Sequence, residues 1–197
     1  MKKYIAEALG TFALTLVVAL SLLDNFPVST PVLAALVLAL FVYSIGNISG
    51  AHINPAVTIG LWSIRKVRNA DAINYIVAQF IGAALAFFLA SSWFDVSHYT
   101  NLLVSNGWHV GVAELLGAFF FSFGIASVVY DKAPSQMSGL VIGGSLLLGI
   151  TFAALLGSNG ILNPAVAFGV GSFSLMYVLG PIIGAVLGMK AYKALEN

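Results

Sequence analysis

Two Asn-Pro-Ala tripeptides, Asn54-Pro55-Ala56 and Asn163-Pro164-Ala165, each lie inside a hydrophobic stretch and at equivalent places in the two halves of the chain. Asn accepts hydrogen bonds from the unpaired N–H groups that open a helix. Pro is tolerated at the first helical position because its missing N–H would have had no partner there. Each tripeptide therefore reads as a helix start, and the chemistry on offer is hydrogen bonding and electrostatics: Asn amide hydrogens, and helix N-termini carrying about half a positive charge each. Glu7 and Glu114 are the other distinctive groups, carboxylates in otherwise apolar runs. Charged and unpaired at a helix centre, each costs ~2.5 to 3.5 kcal/mol, so both need partners. They either relay protons, as in a coupled transporter, or accept backbone N–H bonds from loops, and their symmetric placement favours the second. Nothing resembles a nucleophile, a metal cluster or a phosphate-binding loop. The absence of Cys excludes disulfides, thiol chemistry and cysteine metal sites. His98 and His109 have no carboxylates spaced around them to complete a metal site.

The apolar segment after each Asn is short, from Pro55 to about Ile64 and from Pro164 to about Ser172, or roughly 14 Å at ~1.5 Å per residue. Neither crosses a hydrocarbon core of ~30 Å, whereas two meeting end to end do. Composition places the chain in a membrane, with 60% hydrophobic and 8% charged residues against ~25% charged in soluble domains. Six longer stretches can span: Tyr4 to Leu23, Pro31 to Ile48, Ala72 to Ser92, Val110 to Tyr130, Ser138 to Leu156 and Ser174 to Met189. An even count puts both termini on one side. All eight basic residues, Lys2, Lys3, Arg65, Lys66, Arg68, Lys132, Lys190 and Lys193, then fall on that side, which the positive-inside rule makes cytoplasmic. The opposite loops carry acidic or neutral groups such as Asp24, Asp95, His98 and His109, and Trp62, Trp93 and Trp108 near span ends read as interfacial anchors. Met1-Lys2-Lys3 before an apolar run also fits a secretory signal peptide, but no small-residue cleavage site follows and the segment recurs later in the chain.

That recurrence is a duplication. Ala6-Glu7-Ala8-Leu9-Gly10 before Thr11-Phe12 returns as Ala113-Glu114-Leu115-Leu116-Gly117 before Ala118-Phe119, and Tyr75 through Gly82-Ala83 returns as Tyr177 through Gly184-Ala185. One domain, 1–197, is expected to hold two repeats of about 1–95 and 108–197. Each has three spans, so the second enters the membrane inverted. Inverted repeats with interrupted helices place their working site at the midplane. Irregular backbone at that depth is tolerated only beside protein partners or a water-filled cavity. Gly50, Ala51, His52 and Ile53, and Ser158, Asn159, Gly160, Ile161 and Leu162, are therefore expected to line a pore with their carbonyls. Gly180, Gly184 and Gly188, and Gly139 with Gly143, have the small-xxx-small spacing of packed helices.

The Glu7 and Glu114 helix openings, Ser49-Gly50-Ala51-His52-Ile53-Asn54-Pro55-Ala56-Val57-Thr58, Ala78-Gln79 before Gly82-Ala83, the second Asn-Pro-Ala, and Gly180-Pro181 before Gly184-Ala185 resemble the aquaporin, or major intrinsic protein, family. The resemblance covers nearly the whole chain. It implies an all-α membrane protein of six transmembrane helices and two re-entrant half-helices, assembled as a homotetramer with one pore per subunit. It further implies passive conduction of water and small uncharged solutes, with no cofactor, no metal and no chemical step. The partners implied are those solutes and the lipid bilayer, not nucleic acid, and the location is the plasma (inner) membrane. Asn54 and Asn163, within Pro55, Ala56, Pro164 and Ala165, match the family's pore centre, where the Asn amides donate to permeating molecules. Two facing helix N-termini there oppose cations and protons. His52, where family members often carry His, either lines the inner vestibule or braces the loop.

One position departs from the family. The second Asn-Pro-Ala is usually followed by Arg, part of an outer constriction, and here Val166 stands there. Counted back without gaps, its companions in that filter are Ala34, Thr151 and Gly160, while a one-residue slip puts Phe152 in place of Thr151. Loss of Arg deletes a fixed charge and five donors, and small residues widen the throat. The Arg-Asp pair of glycerol-conducting members is also missing, since Val166-Ala167 occupies it. A wide throat passes water with glycerol, urea or ammonia, whereas an apolar one dewets. The alternatives in other classes are a proton-coupled transporter using Glu7 or Glu114 and a cation-leaking channel.

Overall fold

The computed structural model describes residues 1–23, 27–94 and 107–196. Asp24, Asp95 and His98, expected in the loops opposite the basic residues, lie outside them. The described elements are α1 (Lys2–Ser21), α2 (Thr30–Ser49), α3 (Pro55–Ser63), α4 (Asn69–Trp93), α5 (Trp108–Val129), a short 3-10 turn (Ser135–Met137), α6 (Ser138–Leu155), α7 (Pro164–Gly169) and α8 (Leu175–Glu196). Six are long and apolar enough to span a membrane, and α3 and α7 are the two half-helices. The chain is thus an all-α, multi-pass integral membrane protein.

Boundaries shift where polar residues are themselves good helix formers. The last helix continues seven residues past Met189 to Glu196, because Lys190, Ala191, Lys193 and Leu195 favour helix and Glu196 pairs with Lys132 at 3.1 Å. α7 stops at Gly169, short of Ser172, since Gly171 at φ +72° turns the chain out of the helix.

α1 packs on α4 and α5 on α8, the same pairing in each repeat, while α2 against α6 joins the repeats. Each half-helix crosses over: α3 packs mainly on α8, and α7 mainly on α4. The α1–α4 and α5–α8 pairs approach closely because Gly82 faces the Ala8 carbonyl and Gly184 the Leu115 carbonyl, where a Cβ would collide with backbone. The outer surface is apolar, with Leu36, Leu40, Ile81, Leu85 and Phe88 all exposed, while Glu7, Gln79 and Glu114 are fully buried. Large apolar side chains outside and polar ones inside is the pattern that lipid as solvent dictates.

The basic residues gather on one face. Lys3 and Arg68 both pair with Asp71, at 2.6 and 2.9 Å, and the Lys66 ammonium lies 4.6 Å from the Tyr130 ring centroid. These contacts bring the chain start, the α3–α4 connection and the end of α5 together.

Candidate functional site

The two re-entrant loops are built alike, from the backbone outward. Ala51 and Ile53 have φ of +51° and +41°, and the equivalent Gly160 and Leu162 have +65° and +54°. Alternating left-handed residues turn successive N–H groups toward one side of each loop, where an acceptor must be supplied. Glu7 supplies it in the first repeat: Oε1 accepts from the Ser49 hydroxyl (2.6 Å) and the His52 N–H (3.0 Å), and Oε2 from the Ile53 N–H (2.6 Å). Glu114 does the same in the second, accepting from the Ser158 hydroxyl, the Ile161 N–H (3.0 Å) and the Leu162 N–H (2.7 Å). Both carboxylates are fully buried and neither borders either of the two cavities beside the loops.

A β-branched residue with positive φ is a backbone outlier, and Ile53 holds that conformation because both of its polar groups are claimed. Its N–H goes to Glu7 and its carbonyl accepts from Asn163 Nδ2 at 3.0 Å. The reciprocal bond runs from Asn54 Nδ2 to the Leu162 carbonyl, also 3.0 Å. Each Asn also caps its own half-helix: Asn54 Oδ1 accepts from Ala56 N–H (2.8 Å), and Asn163 Oδ1 from Ala165 (3.1 Å) and Val166 (3.3 Å). The Asn pair therefore caps and cross-ties at once, and each amide keeps a second hydrogen for another acceptor.

That hydrogen has a place to go. A cavity of about 260 Å³ is bordered by Asn54, Asn163, His52, Ile53, Asn159, Gly160, Ile161 and Val166, with α1, α2, α5 and α6 completing the wall through residues such as Leu14, Ala34, Leu38, Phe121 and Ile150. A second cavity of about 350 Å³ opens toward the basic face and is bordered by Gly50, Ala51, His52, Val57, Leu61 and Lys66. The two share Leu38, His52 and Phe121.

Several expected positions lie off the wall or serve differently. Thr151 is exposed on the outside of α6 with its hydroxyl donated to the Leu147 carbonyl (2.8 Å), and its neighbour Ile150 borders the cavity instead. Phe152 also points away, stacking on Phe120 with centroids 4.8 Å apart. A helix turns about 100° per residue, so a gapless count that is wrong by one moves a side chain from wall to lipid. Ser158 does not line the cavity; its hydroxyl donates to Glu114 and accepts from the Gly160 N–H. Pro55, Ala56, Pro164 and Ala165 are buried behind the two Asn residues and border neither cavity.

His52 does both jobs that its position allows. It borders both cavities, packs edge-on to Tyr75 at 4.9 Å, and bonds Thr58 Oγ1 through Nδ1 at 3.1 Å. Thr58 donates to the Asn54 carbonyl (3.0 Å) and accepts from Gln79 Nε2 (3.0 Å), so His52 Nδ1 is the donor in its bond to Thr58. Residue types and spacing assign no role to Ser49, Gln79, Tyr75 or Tyr177, yet all four brace the loops. Gln79 Nε2 reaches Glu7 Oε2 at 2.7 Å, the Tyr75 hydroxyl donates to the Ser49 carbonyl at 2.7 Å, and the Tyr177 hydroxyl accepts from Asn159 N–H at 3.3 Å. One signal for them is readable: Ser49 and Ser158 each stand five residues before an Asn, and Tyr75 and Tyr177 are repeat equivalents.

Comparison with known proteins agrees with this geometry. The chain is 36% identical to aquaporin AqpM of Methanothermobacter thermautotrophicus over 183 residues, covering 81% of this chain and 73% of that protein. It is 33% identical to nodulin-26 of Glycine max, covering 98% and 77%. The X-ray structure of the aquaglyceroporin from Plasmodium falciparum shares the fold with a TM-score of 0.66 at 20% identity, covering 98% of this chain and 94% of that one. The sequence profile of the major intrinsic proteins matches residues 1–192. The chain belongs to the major intrinsic protein family and is a membrane channel for water and small solutes, not an enzyme.

Proposed function

We propose that the two cavities form one permeation path, with Asn54 and Asn163 at its centre and Ala34, Ile150, Gly160 and Val166 at its outer filter. The observation that carries this reading is that both Asn amides and His52 border a continuous set of walls on which Lys66 is the one formally charged side chain among the described residues. A neutral solute meets donors from the Asn amides and acceptors from the loop carbonyls. A cation meets two half-helix N-termini and then Lys66. The outer cavity, about 260 Å³ where one water needs ~10 to 15 Å³, supports the wide rather than the closed form of the Arg-less filter. Solutes the size of glycerol and urea are therefore substrates alongside water. The carboxylates of Glu7 and Glu114 are occupied by loop donors, which supports scaffolding rather than proton coupling. The basic face is assigned as cytoplasmic on its charge, the membrane as the plasma membrane, and the assembly as a homotetramer by family.

Stopped-flow light scattering on proteoliposomes with sucrose, glycerol and urea gradients tests this. Val166→Arg is expected to reduce glycerol and urea flux more than water flux. Equal flux ratios in both proteins remove residue 166 from the filter, and a rate no higher than that of empty liposomes for every solute removes the open-channel reading itself.

A further inference from the structure

α3 and α7 end in the same backbone motif with different residues at its critical position. In α7 the Ser172 N–H returns to the Ala167 carbonyl (2.9 Å) and the Gly171 N–H to the Phe168 carbonyl (3.2 Å), with Gly171 at φ +72°. In α3 the Lys66 N–H returns to the Leu61 carbonyl and the Arg65 N–H to the Trp62 carbonyl, both 2.9 Å, with Arg65 at φ +65°. This helix stop favours glycine, and Arg occupies it against a steric penalty that Gly171 avoids. Arg65 lines a cleft of about 570 Å³ together with Trp62, Ser63, Asn69 and Lys190. Neither Arg65 nor Lys190 has a carboxylate partner among the described residues. Trp62 is 46% exposed and its indole N–H is tied to Asn69 Oδ1 at 2.8 Å, which holds the ring at the cleft wall. The cleft lies on the basic face, where α3 ends and α4 begins, beside Lys190 of α8.

We infer that this cleft binds the phosphate of an anionic phospholipid, with Arg65 and Lys190 pairing the charge, Ser63 and Asn69 as polar rim, and Trp62 packing beside the acyl–glycerol boundary. Arg offers planar, multiple donors to phosphate oxygens, and Trp favours the membrane interface. Lys66, turned to Tyr130, and Arg68, turned to Asp71, are engaged elsewhere.

Trp62 reports on its own site. Full-length protein carrying Trp93→Phe and Trp108→Phe, in phosphatidylcholine vesicles, is titrated with brominated phosphatidylglycerol or brominated phosphatidylcholine, and Trp62 fluorescence is followed. The anionic lipid is expected to quench at the lower mole fraction. Arg65→Gly is expected to lower that preference about fivefold, the factor corresponding to ~1 kcal/mol per basic residue at a membrane surface, and Lys190→Gln to act likewise. Because glycine suits position 65, Arg65→Gly keeps the fold, and an unchanged or raised thermal midpoint verifies this. Equal quenching by the two lipids, or an unchanged preference in Arg65→Gly, overturns the proposal. Inorganic phosphate relieving the quenching more than chloride of equal ionic strength overturns it too, by making the cleft a site for soluble anions.

Discussion

The two repeats share a scaffold and differ in what they show the cavity. Glu7 and Glu114 gather the same loop donors, and Asn54 and Asn163 exchange equivalent bonds. Yet His52, Thr58 and Gln79 of the first repeat correspond to Ile161, Ala167 and Pro181 of the second. The half toward the basic face is a polar network; the outer half is an apolar wall. Duplication therefore preserves the parts that hold backbone in an unfavourable conformation, where any loss leaves several groups unsatisfied. The differing residues are not all on the passage: His52 borders both cavities, whereas Thr58 and Gln79 are buried behind it. On this comparison selectivity is a property of single wall positions, and folding a property of the symmetric pairs.

The largest effect is expected from the pairs. Glu114→Ala orphans the Ile161 and Leu162 N–H groups and Glu7→Ala those of His52 and Ile53. At ~1 to 3 kcal/mol per buried orphan, each costs on the order of 2 to 6 kcal/mol. Glu7→Ala is expected to be the worse, since Gln79 also loses its 2.7 Å acceptor. Thermal unfolding in detergent measures both. A stable Glu7→Ala protein contradicts the shared-scaffold account, and a Glu114→Gln protein that is stable but loses pH-driven solute accumulation returns the transporter reading.

Much of this scaffold is legible in the residues themselves. The paired Asn-Pro-Ala, the repeat of Glu7 in Glu114 and the sorting of basic residues each carry a physical constraint on composition, and together they specify six spans, two half-helices and an inverted repeat. The crossing bonds from each Asn to the opposite loop are not legible, because they join residues more than a hundred positions apart and depend on positive φ values that Ala51, Ile53 and Leu162 do not advertise. Thr151 misleads for a different reason. Its helix is apolar on every side, so no periodicity distinguishes the wall face from the lipid face, and position has to be counted rather than read.

The next effect in size concerns the charge that the passage does hold. Val166 stands next to the second Asn-Pro-Ala with no charge, while Lys66 borders the cavity toward the basic face and lies over Tyr130. If the remaining barrier to cations is shared between Lys66 and the helix N-termini, Lys66→Gln raises sodium or potassium leak roughly fivefold, the factor for ~1 kcal/mol, while leaving water flux near its starting value. Ion-flux dyes in proteoliposomes read the first and light scattering the second. An unchanged leak assigns the barrier to the half-helix N-termini alone; a high leak in the unmodified protein makes it a cation-leaking channel.

A third test asks whether the symmetric loops are equivalent where Ala51 of one corresponds to Gly160 of the other. Ala51 and Gly160 have similar positive φ values, but only at Gly160 would a Cβ lie 2.7 Å from the Ile150 carbonyl oxygen. Gly160→Ala therefore meets both a conformational penalty and a clash with helix backbone that cannot yield cheaply, for ~1 to 3 kcal/mol of destabilisation. Ala51→Gly relieves strain but gives the unfolded chain more freedom, and these oppose each other at ~1 kcal/mol apiece, leaving a change near zero. Unfolding midpoints of the two single variants and the double exchange separate the terms. Shifts equal in size and opposite in sign would mean that backbone conformation, not the contact with Ile150, decides which loop needs glycine.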